Sequence, residues 1–152
     1  MCARKSSGSR CGSAGKRRGV DCAMIHEMAG ELINAIDAGV WAEDRKALKK
    51  LGKDAQRLRE DLADHCQAMN MGDGFYVQLL AVQPRLHQQV DALCKEHLML
   101  GRHLQHLQDI IETYEKTGKG SRTIRQGGKR LAEMMGMHQE RGNEVVFEAY
   151  CS

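Results

Sequence analysis

Four histidines of this chain fall in four different segments whose apolar residues recur with helical spacing. Around His97, Leu93 lies four residues before it and Leu100 three residues after it, on one helical face. Four neutral imidazoles that converge in a core can satisfy their nitrogen atoms together on one metal ion. The pattern therefore predicts a shared metal site, and the alternative is four ordinary core histidines with separate hydrogen-bond partners. The four candidate ligands are His26, His65, His97 and His138.

Sulfur-bearing side chains and one phenol lie near the same histidines. Each sulfur is three or four residues from a histidine and hence on its face of the helix. Tyr76 follows His65 by eleven residues and is in register with it if the intervening turn is only a kink. Sulfur and imidazole without carboxylate suit copper(I) or zinc, although Met and Cys also fill irregular cores. These further candidate ligands or supporting groups are Met69, Tyr76, Cys22 and Cys94.

Glycine stands four residues after three of the histidines, at Gly30, Gly101 and Gly142. Each glycine inside a helix costs about 1 kcal/mol relative to alanine. We expect these glycines to allow close packing between helices. The alternative is that they leave room for a bound group, even one as large as haem.

Long helices must position these side chains, and the composition and periodicity of the chain predict them. The 152 residues include only one Trp, three Tyr and two Phe, which is little material for a β-sheet. Apolar residues that recur every three or four positions predict helices over about residues 22 to 38, 42 to 71, 84 to 114 and 122 to 150. Their short links predict an all-α domain over residues 21 to 152, an up-down-up-down four-helix bundle.

The first 20 residues differ in composition from the rest of the chain. They hold six basic residues and no acidic one, so their net charge is +6. The formal net charge of the whole chain is +3, so the remaining residues sum to −3. The segment is rich in Gly and Ser, which predicts a disordered basic tail. The tail has no aromatic residue to stack on bases, so we expect a solvated tail without a specific nucleic-acid partner. The alternative is a basic tail that contacts nucleic acid or an anionic membrane surface. Asp21 is expected to cap the first helix.

The six cysteines are predicted to be reduced thiols, because no CxxC pair occurs and two of them lie in the tail. No apolar run approaches the roughly 18 residues of a membrane span, and no apolar stretch follows the basic N-terminal residues as in a secretion signal. We therefore expect a cytoplasmic chain without a membrane span.

Five sequence motifs surround the histidines. They are His65-Cys66-Gln67-Ala68-Met69, Gly72-Asp73-Gly74-Phe75-Tyr76, Pro84-Arg85-Leu86, Lys95-Glu96-His97, and His138-Gln139-Glu140-Arg141-Gly142-Asn143-Glu144-Val145-Val146-Phe147. Together they resemble the hemerythrin-like (HHE cation-binding) family over about residues 22 to 152. The resemblance implies a four-helix bundle around a non-haem di-iron centre, associated with oxygen binding, oxygen or iron sensing, or peroxide and nitric oxide chemistry. The four histidines fall where the family's helices carry their imidazole ligands.

The chain departs from the family at the bridging carboxylates. Family members carry a carboxylate four residues after the histidine of the second and of the fourth helix, where its oxygens bridge the two irons. Here these positions hold Met69 and Gly142, and Gly101 stands where the third helix would carry a second histidine. Asp73 and Glu144 follow their histidines by eight and six residues. Only Asp73 is near the right face, and only if its helix continues past the glycine-rich turn.

These observations predict a bundle that binds a metal cation through its four histidines. Iron, as a di-iron or single-iron centre, is the metal that the resemblance implies; copper or zinc is the alternative, and haem is disfavoured. We expect binding of a small ligand such as oxygen or nitric oxide, or metal or redox sensing, rather than turnover, because the sequence shows neither an open coordination position nor a route for a substrate. The competing hypothesis is a degenerate, metal-free bundle that serves as a structural or interaction module.

Overall fold

Five α-helices account for almost all of the residues that the structure describes, which are residues 22–151. No strand occurs within these residues, so the prediction of an all-α fold is confirmed. Single-turn 3-10 helices, Val40–Ala42 and Pro84–Leu86, lie in two of the connections. In this computed structural model the α-helices are α1 (Cys22–Ala38), α2 (Arg45–Asn70), α3 (Phe75–Val82), α4 (His87–Thr117) and α5 (Ser121–Tyr150).

The four long helices lie where the apolar spacing predicts them, and their ends differ from the prediction by three residues or fewer. The short helix α3 differs, because sequence spacing predicts only an apolar link in its place. Its eight residues are apolar on nearly every side, so they lack the one-sided pattern by which a surface helix is detected. The predicted basic tail, residues 1 to 20, and the predicted cap Asp21 lie outside the described residues.

The long helices pack as a bundle in which each contacts two others. Helix α1 packs against α2 and α5, and α4 packs against the same two helices on the opposite side. The apolar faces of all four meet in the interior, where burial of Leu and Ile side chains supplies most of the stability of a helical domain. Helix α3 packs against α2 and covers one end of this core through Tyr76 and Leu79.

Specific residues fix the ends of α1 and α2. Gly39 adopts a left-handed backbone with a φ of 77° and ends α1. Trp41 is buried directly after it and donates its indole N–H to the carbonyl of Ile36 at 3.0 Å. The carboxylate of Asp44 then accepts from the backbone N–H groups of Lys46 and Ala47 at 2.9 and 3.3 Å, which caps the N-terminus of α2.

The turn after α2 breaks the helix completely. Gly72 has a left-handed backbone with a φ of 56°, and α2 ends at Asn70. Gly74 passes so close to α2 that a Cβ there would lie 2.1 Å from the carbonyl oxygen of Ala68, so only glycine fits. The condition for a helical register between Tyr76 and His65, a turn that is only a kink, is therefore not met, and Tyr76 enters the core from a separate helix.

No helix within residues 22–151 has both the length and the apolar character needed to cross a lipid bilayer.

Candidate metal centre

The buried histidines form a polar layer that divides the core of the bundle into two apolar clusters. One cluster contains Leu62 of α2, Leu100 of α4 and Met135 of α5. The other contains Met69 and Val145 from the far side of the same histidines. The imidazoles between them, here called the histidine layer, belong to His65, His97 and His138, which are each exposed by 2% or less.

The imidazoles of the layer contact one another across three helices. The rings of His97 and His138 have centroids 4.5 Å apart, and the Nε2 atoms of these two rings face each other at 3.0 Å. The ring of His65 meets that of His97 edge to face, with centroids 5.8 Å apart. The predicted convergence of imidazoles from α2, α4 and α5 is thus present in the structure.

The fourth predicted histidine and one cysteine come from α1. His26 is half-buried, and its ring is near enough to His138 to influence the pKa of that imidazole. Cys22 is buried, and its Sγ lies 3.5 Å from Nε2 of His65. Helix α1 therefore adds one imidazole and one sulfur to the neighbourhood of the layer.

A carboxylate supports the layer from its edge. Oε1 of Glu96 lies 2.7 Å from Nδ1 of His138, on the side of the ring opposite to His97. The guanidinium of Arg141 donates to the other carboxylate oxygen, Oε2. Sequence spacing assigns no role to Glu96 or Arg141. The sequence feature that could have indicated a role for them is their position: Glu96 adjoins the inward His97, and Arg141 follows the inward His138 by about one helical turn.

Burial keeps two imidazoles of the layer, those of His97 and His138, uncharged. It lowers the pKa of His97 from its ordinary value to about 2, with a further contribution from the adjacent His65. Burial likewise lowers the pKa of His138 well below its usual range, and the neighbouring imidazoles add to the effect. At neutral pH both rings are neutral, and neutral imidazole is the form that binds a metal.

Two more predicted residues lie beside the layer. Met69 is buried in the apolar cluster next to it. Tyr76 is buried as well, and its ring stacks on that of His97 with centroids 6.2 Å apart and an interplanar angle of 24°. Tyr76 thus reaches the layer as predicted, but from α3 rather than by helical register with His65.

Cys94 lies at the edge of the site and bonds elsewhere. Its thiol donates to the side-chain oxygen of Asn70 at 3.3 Å, and Asn70 in turn donates to the carbonyl of Cys66 at 2.9 Å. Cys66 lies at the same edge. Burial raises the pKa of its thiol to about 12, and the nearby Cys94 makes a smaller contribution in the same direction. The bond of Cys94 therefore links α4 to the end of α2, and its acceptor is an amide oxygen rather than an imidazole.

The two positions at which the hemerythrin-like resemblance calls for bridging carboxylates are buried, and neither holds a carboxylate. Met69 contributes a thioether and Gly142 no side chain. Asp73 lies beyond the end of α2 and is exposed, and Glu144 is exposed as well. Within residues 22–151 no group of three or more His, Cys, Asp or Glu side chains is positioned to hold a metal ion.

The expectation of close packing at the glycines beside the histidines is wrong for two of them. A Cβ added at Gly30 or Gly101 would meet nothing within 4 Å. Two close approaches occur instead in α5, ten and eleven residues, or about three turns, before His138. There a Cβ would lie 2.8 Å from Cδ1 of Leu107 at Gly127 and 2.8 Å from Cγ2 of Ile36 at Gly128. These two close approaches lie at a level of the bundle away from the histidine layer.

Comparison of the chain with protein-family models, with curated proteins and with solved structures finds no match.

Proposed function

We propose that this chain is a metal-binding helical bundle that holds one transition-metal ion in its histidine layer. The observation that carries the proposal is the 3.0 Å separation between the Nε2 atoms of His97 and His138. Two nitrogen ligands bound to one ion at about 2.0–2.1 Å lie roughly 3 Å apart when the angle between their bonds is near 90–110°. The two rings therefore already stand at the mutual distance that a shared ion requires.

The remaining ligands come from α1 and α2. His65 and Cys22 are in contact with each other at 3.5 Å, and the ring of His65 borders that of His97. The proposal requires the side chains of His65 and Cys22 to turn toward the His97 and His138 pair when the ion binds. Four ligands of this kind, three imidazoles and one thiolate, make a tetrahedral set of the type that zinc adopts.

The donor atoms favour a soft or borderline metal. The layer offers nitrogen and sulfur, and the carboxylate of Glu96 is engaged by His138 and Arg141. Such a set suits zinc or copper(I) better than the carboxylate-bridged iron pair implied by the hemerythrin-like resemblance. When bound, the ion supplies a Lewis acid or, for copper or iron, a redox centre.

The hemerythrin-like, up-down architecture is part of this proposal and is supported by the order of contacts between α2 and α4. Lys49, near the start of α2, pairs with Glu115, near the end of α4, at 2.7 Å. Arg59 donates to Gln108 at 2.7 Å, and Asn70 accepts from Cys94. Residues progressively later in α2 thus contact residues progressively earlier in α4, as in an antiparallel pair of helices. The role that we propose for the ion follows from the hemerythrin-like resemblance: metal or redox sensing, or the binding of a diatomic ligand.

A cytoplasmic location also belongs to the proposal. None of the four cysteines within the described residues forms a disulfide, which agrees with a reducing compartment.

Metal content after loading tests the proposal. The purified protein is loaded anaerobically and separately with Zn²⁺, Cu(I) and Fe²⁺, passed through a desalting column and analysed for metal. We expect one ion per chain in the wild type, and a loss of most of it in His97→Ala and in His138→Ala with little change in helical circular dichroism. His106→Ala removes an exposed histidine of the same helix α4 and is expected to retain the ion.

A metal-free interaction module is the second candidate. Two observations favour it: the contact between His97 and His138 also satisfies the criteria of an ordinary N–H···N hydrogen bond, and several large apolar side chains are exposed. The latter include Leu98, Met99, Phe147 and Tyr150, and exposed apolar groups are typical of partner surfaces. Failure of the wild type to retain any of the three metals would support this candidate.

A further inference from the structure

We propose that Glu96 is a positioning residue that fixes His138 as the tautomer protonated on Nδ1, so that the lone pair on its Nε2 points into the histidine layer. As a statement about metal binding, this inference rests on the proposed function. As a statement about the proton on His138, it stands by itself.

The chemistry of the two contacting groups assigns the proton. An ionised carboxylate only accepts hydrogen bonds. Oε1 of Glu96 lies 2.7 Å from Nδ1 of His138, which is the length of a charge-assisted hydrogen bond. The nitrogen in this contact must therefore be the donor, and Nδ1 carries the proton. A neutral ring has one N–H, so its Nε2 is left as an acceptor.

Arg141 holds the carboxylate in this position. Its guanidinium donates to Oε2 of Glu96, while Oε1 faces His138. Arg141 follows His138 by three residues on α5, so both partners of Glu96 lie on one face of that helix. Glu96 comes from α4, and the contact therefore sets the position of α4 against α5 at the level of the layer. Its side chain is mostly covered, with 18% exposed, which strengthens its hydrogen bonds relative to those on an open surface.

The tautomer of His138 determines that of His97 in the metal-free protein. The two Nε2 atoms lie 3.0 Å apart, and this hydrogen bond needs one donor and one acceptor. Because Nε2 of His138 accepts, Nε2 of His97 must donate. One proton thus lies between the two rings in the place where a shared metal ion would bind, and the ion has to replace it. This replacement requires no net loss of a proton if His97 transfers its N–H to Nδ1.

The proton positions can be observed directly in the metal-free protein. Long-range ¹H–¹⁵N correlation spectra distinguish a protonated from an unprotonated ring nitrogen in each histidine. In the wild type with chelator present, we expect Nδ1 of His138 and Nε2 of His97 to carry the protons. A His138 protonated on Nε2 would overturn the proposal.

Substitutions separate positioning from a merely structural role. Glu96→Ala is expected to convert His138 to a mixture of tautomers or to the Nε2-protonated form. Glu96→Gln is expected to keep the Nδ1-protonated form, because its amide oxygen accepts the same hydrogen bond. Glu112→Ala removes an exposed acid of the same helix α4 that pairs with Lys116 four residues on and should leave the histidine signals unchanged. An unaltered His138 tautomer in folded Glu96→Ala would contradict the proposal.

If Glu96→Ala does not fold, Arg141→Ala supplies a milder test. It leaves the carboxylate in place but removes the group that holds it, so we expect a shift of the His138 ring nitrogens toward a mixture of the two tautomers. A spectrum identical to that of the wild type would contradict the positioning role.

Metal affinity provides the second readout. Loss of a carboxylate that orients a histidine ligand typically weakens metal binding by 10–100-fold, and we expect an effect of this size in Glu96→Ala and a smaller one in Glu96→Gln. Equal affinity of Glu96→Ala and the wild type would overturn the link to metal binding. If the wild type binds no metal, the proposed function fails, and the tautomer spectra alone decide the role of Glu96.

Discussion

At the scale of single residues, the main physical cost in this molecule is the burial of three imidazoles in an apolar core. A buried polar ring without hydrogen bonds destabilises a fold by several kcal/mol. Here the rings reduce that cost by contacting one another and by the carboxylate of Glu96 at the edge of the layer. In acid the free energy of unfolding should decrease, because protonation of a buried imidazole would place a positive charge next to other imidazoles and away from water.

We expect the metal-free protein to lose stability as the pH falls below about 6.5, the pKa of histidine in an unfolded chain. The folded-state pKa of His97 is about 2, so between these two values the unfolded chain binds more protons than the folded one. The stabilisation is therefore complete above about pH 6.5 and falls by up to about 1.4 kcal/mol per pH unit for each such ring. Urea unfolding in chelator at pH 7.5, 6.0 and 5.0 measures this slope.

His97→Gln is expected to reduce the slope, because the amide does not titrate, whereas His106→Gln, which replaces an exposed ring, should preserve it. An equal pH dependence in wild type and His97→Gln would show that His97 is not buried as a neutral ring.

Cys22 is the candidate sulfur ligand of the proposed metal site, and its substitution tests whether sulfur takes part in metal binding. Because its Sγ lies 3.5 Å from Nε2 of His65, we expect Cys22→Ser to weaken copper(I) binding by roughly tenfold or more, since thiolate is the softer ligand. Cys66→Ser is the matched control, because Cys66 adjoins His65 in sequence but is only half-buried, and the bond that its backbone carbonyl accepts from Asn70 does not depend on the thiol. Competition titrations with a copper(I) chelator compare the two. An equal loss of affinity in both variants would argue against Cys22 as the ligand.

At the scale of helices, glycine positions determine how closely α5 approaches its neighbours. Gly128 contacts Ile36 so closely that an added Cβ would lie 2.8 Å from Cγ2 and 3.2 Å from Cβ of that side chain. Gly136, two turns later in the same helix, is exposed, and an added Cβ would meet nothing within 4 Å. The same substitution should therefore have opposite effects at these two positions.

We expect Gly128→Ala to destabilise the bundle by about 1–3 kcal/mol through overpacking. Gly136→Ala should stabilise it by up to about 1 kcal/mol, because alanine has the higher helix propensity. Chemical denaturation at pH 7.5 measures both differences. If Gly128→Ala proves as stable as Gly136→Ala, α5 does not approach α1 as closely as the structure indicates.

The helices also show which parts of this structure can be predicted from the sequence. The long helices and the inward histidines follow from apolar spacing alone, because each depends on the periodicity of one segment. The contact between Glu96 and His138 depends on how two helices rotate against each other, which no single segment encodes. Tyr76 illustrates the difference: its arrival at the layer follows from the packing of α3 on α2, not from helical register.

At the scale of the whole molecule, the histidine layer divides an otherwise apolar core, and a bound metal would link the helices across it. Any ligand that binds only the folded state stabilises that state by RT ln(1 + [L]/Kd). With free metal at 100 times the Kd, the free energy of unfolding should rise by about 2.7 kcal/mol. Thermal unfolding with metal and then with excess chelator measures the rise and its reversal. An unchanged midpoint in both conditions would indicate that metal does not bind the folded bundle.

The most direct test of the central claim is an X-ray absorption spectrum of the loaded protein. We predict one ion per chain with nitrogen ligands at about 2.0–2.1 Å and imidazole scattering beyond them, with a further sulfur at about 2.3 Å if Cys22 binds. The double variant His97→Ala, His138→Ala should retain no ion and give no such spectrum. A metal-free wild type after loading with all three metals, or an unchanged spectrum in the double variant, would contradict the account.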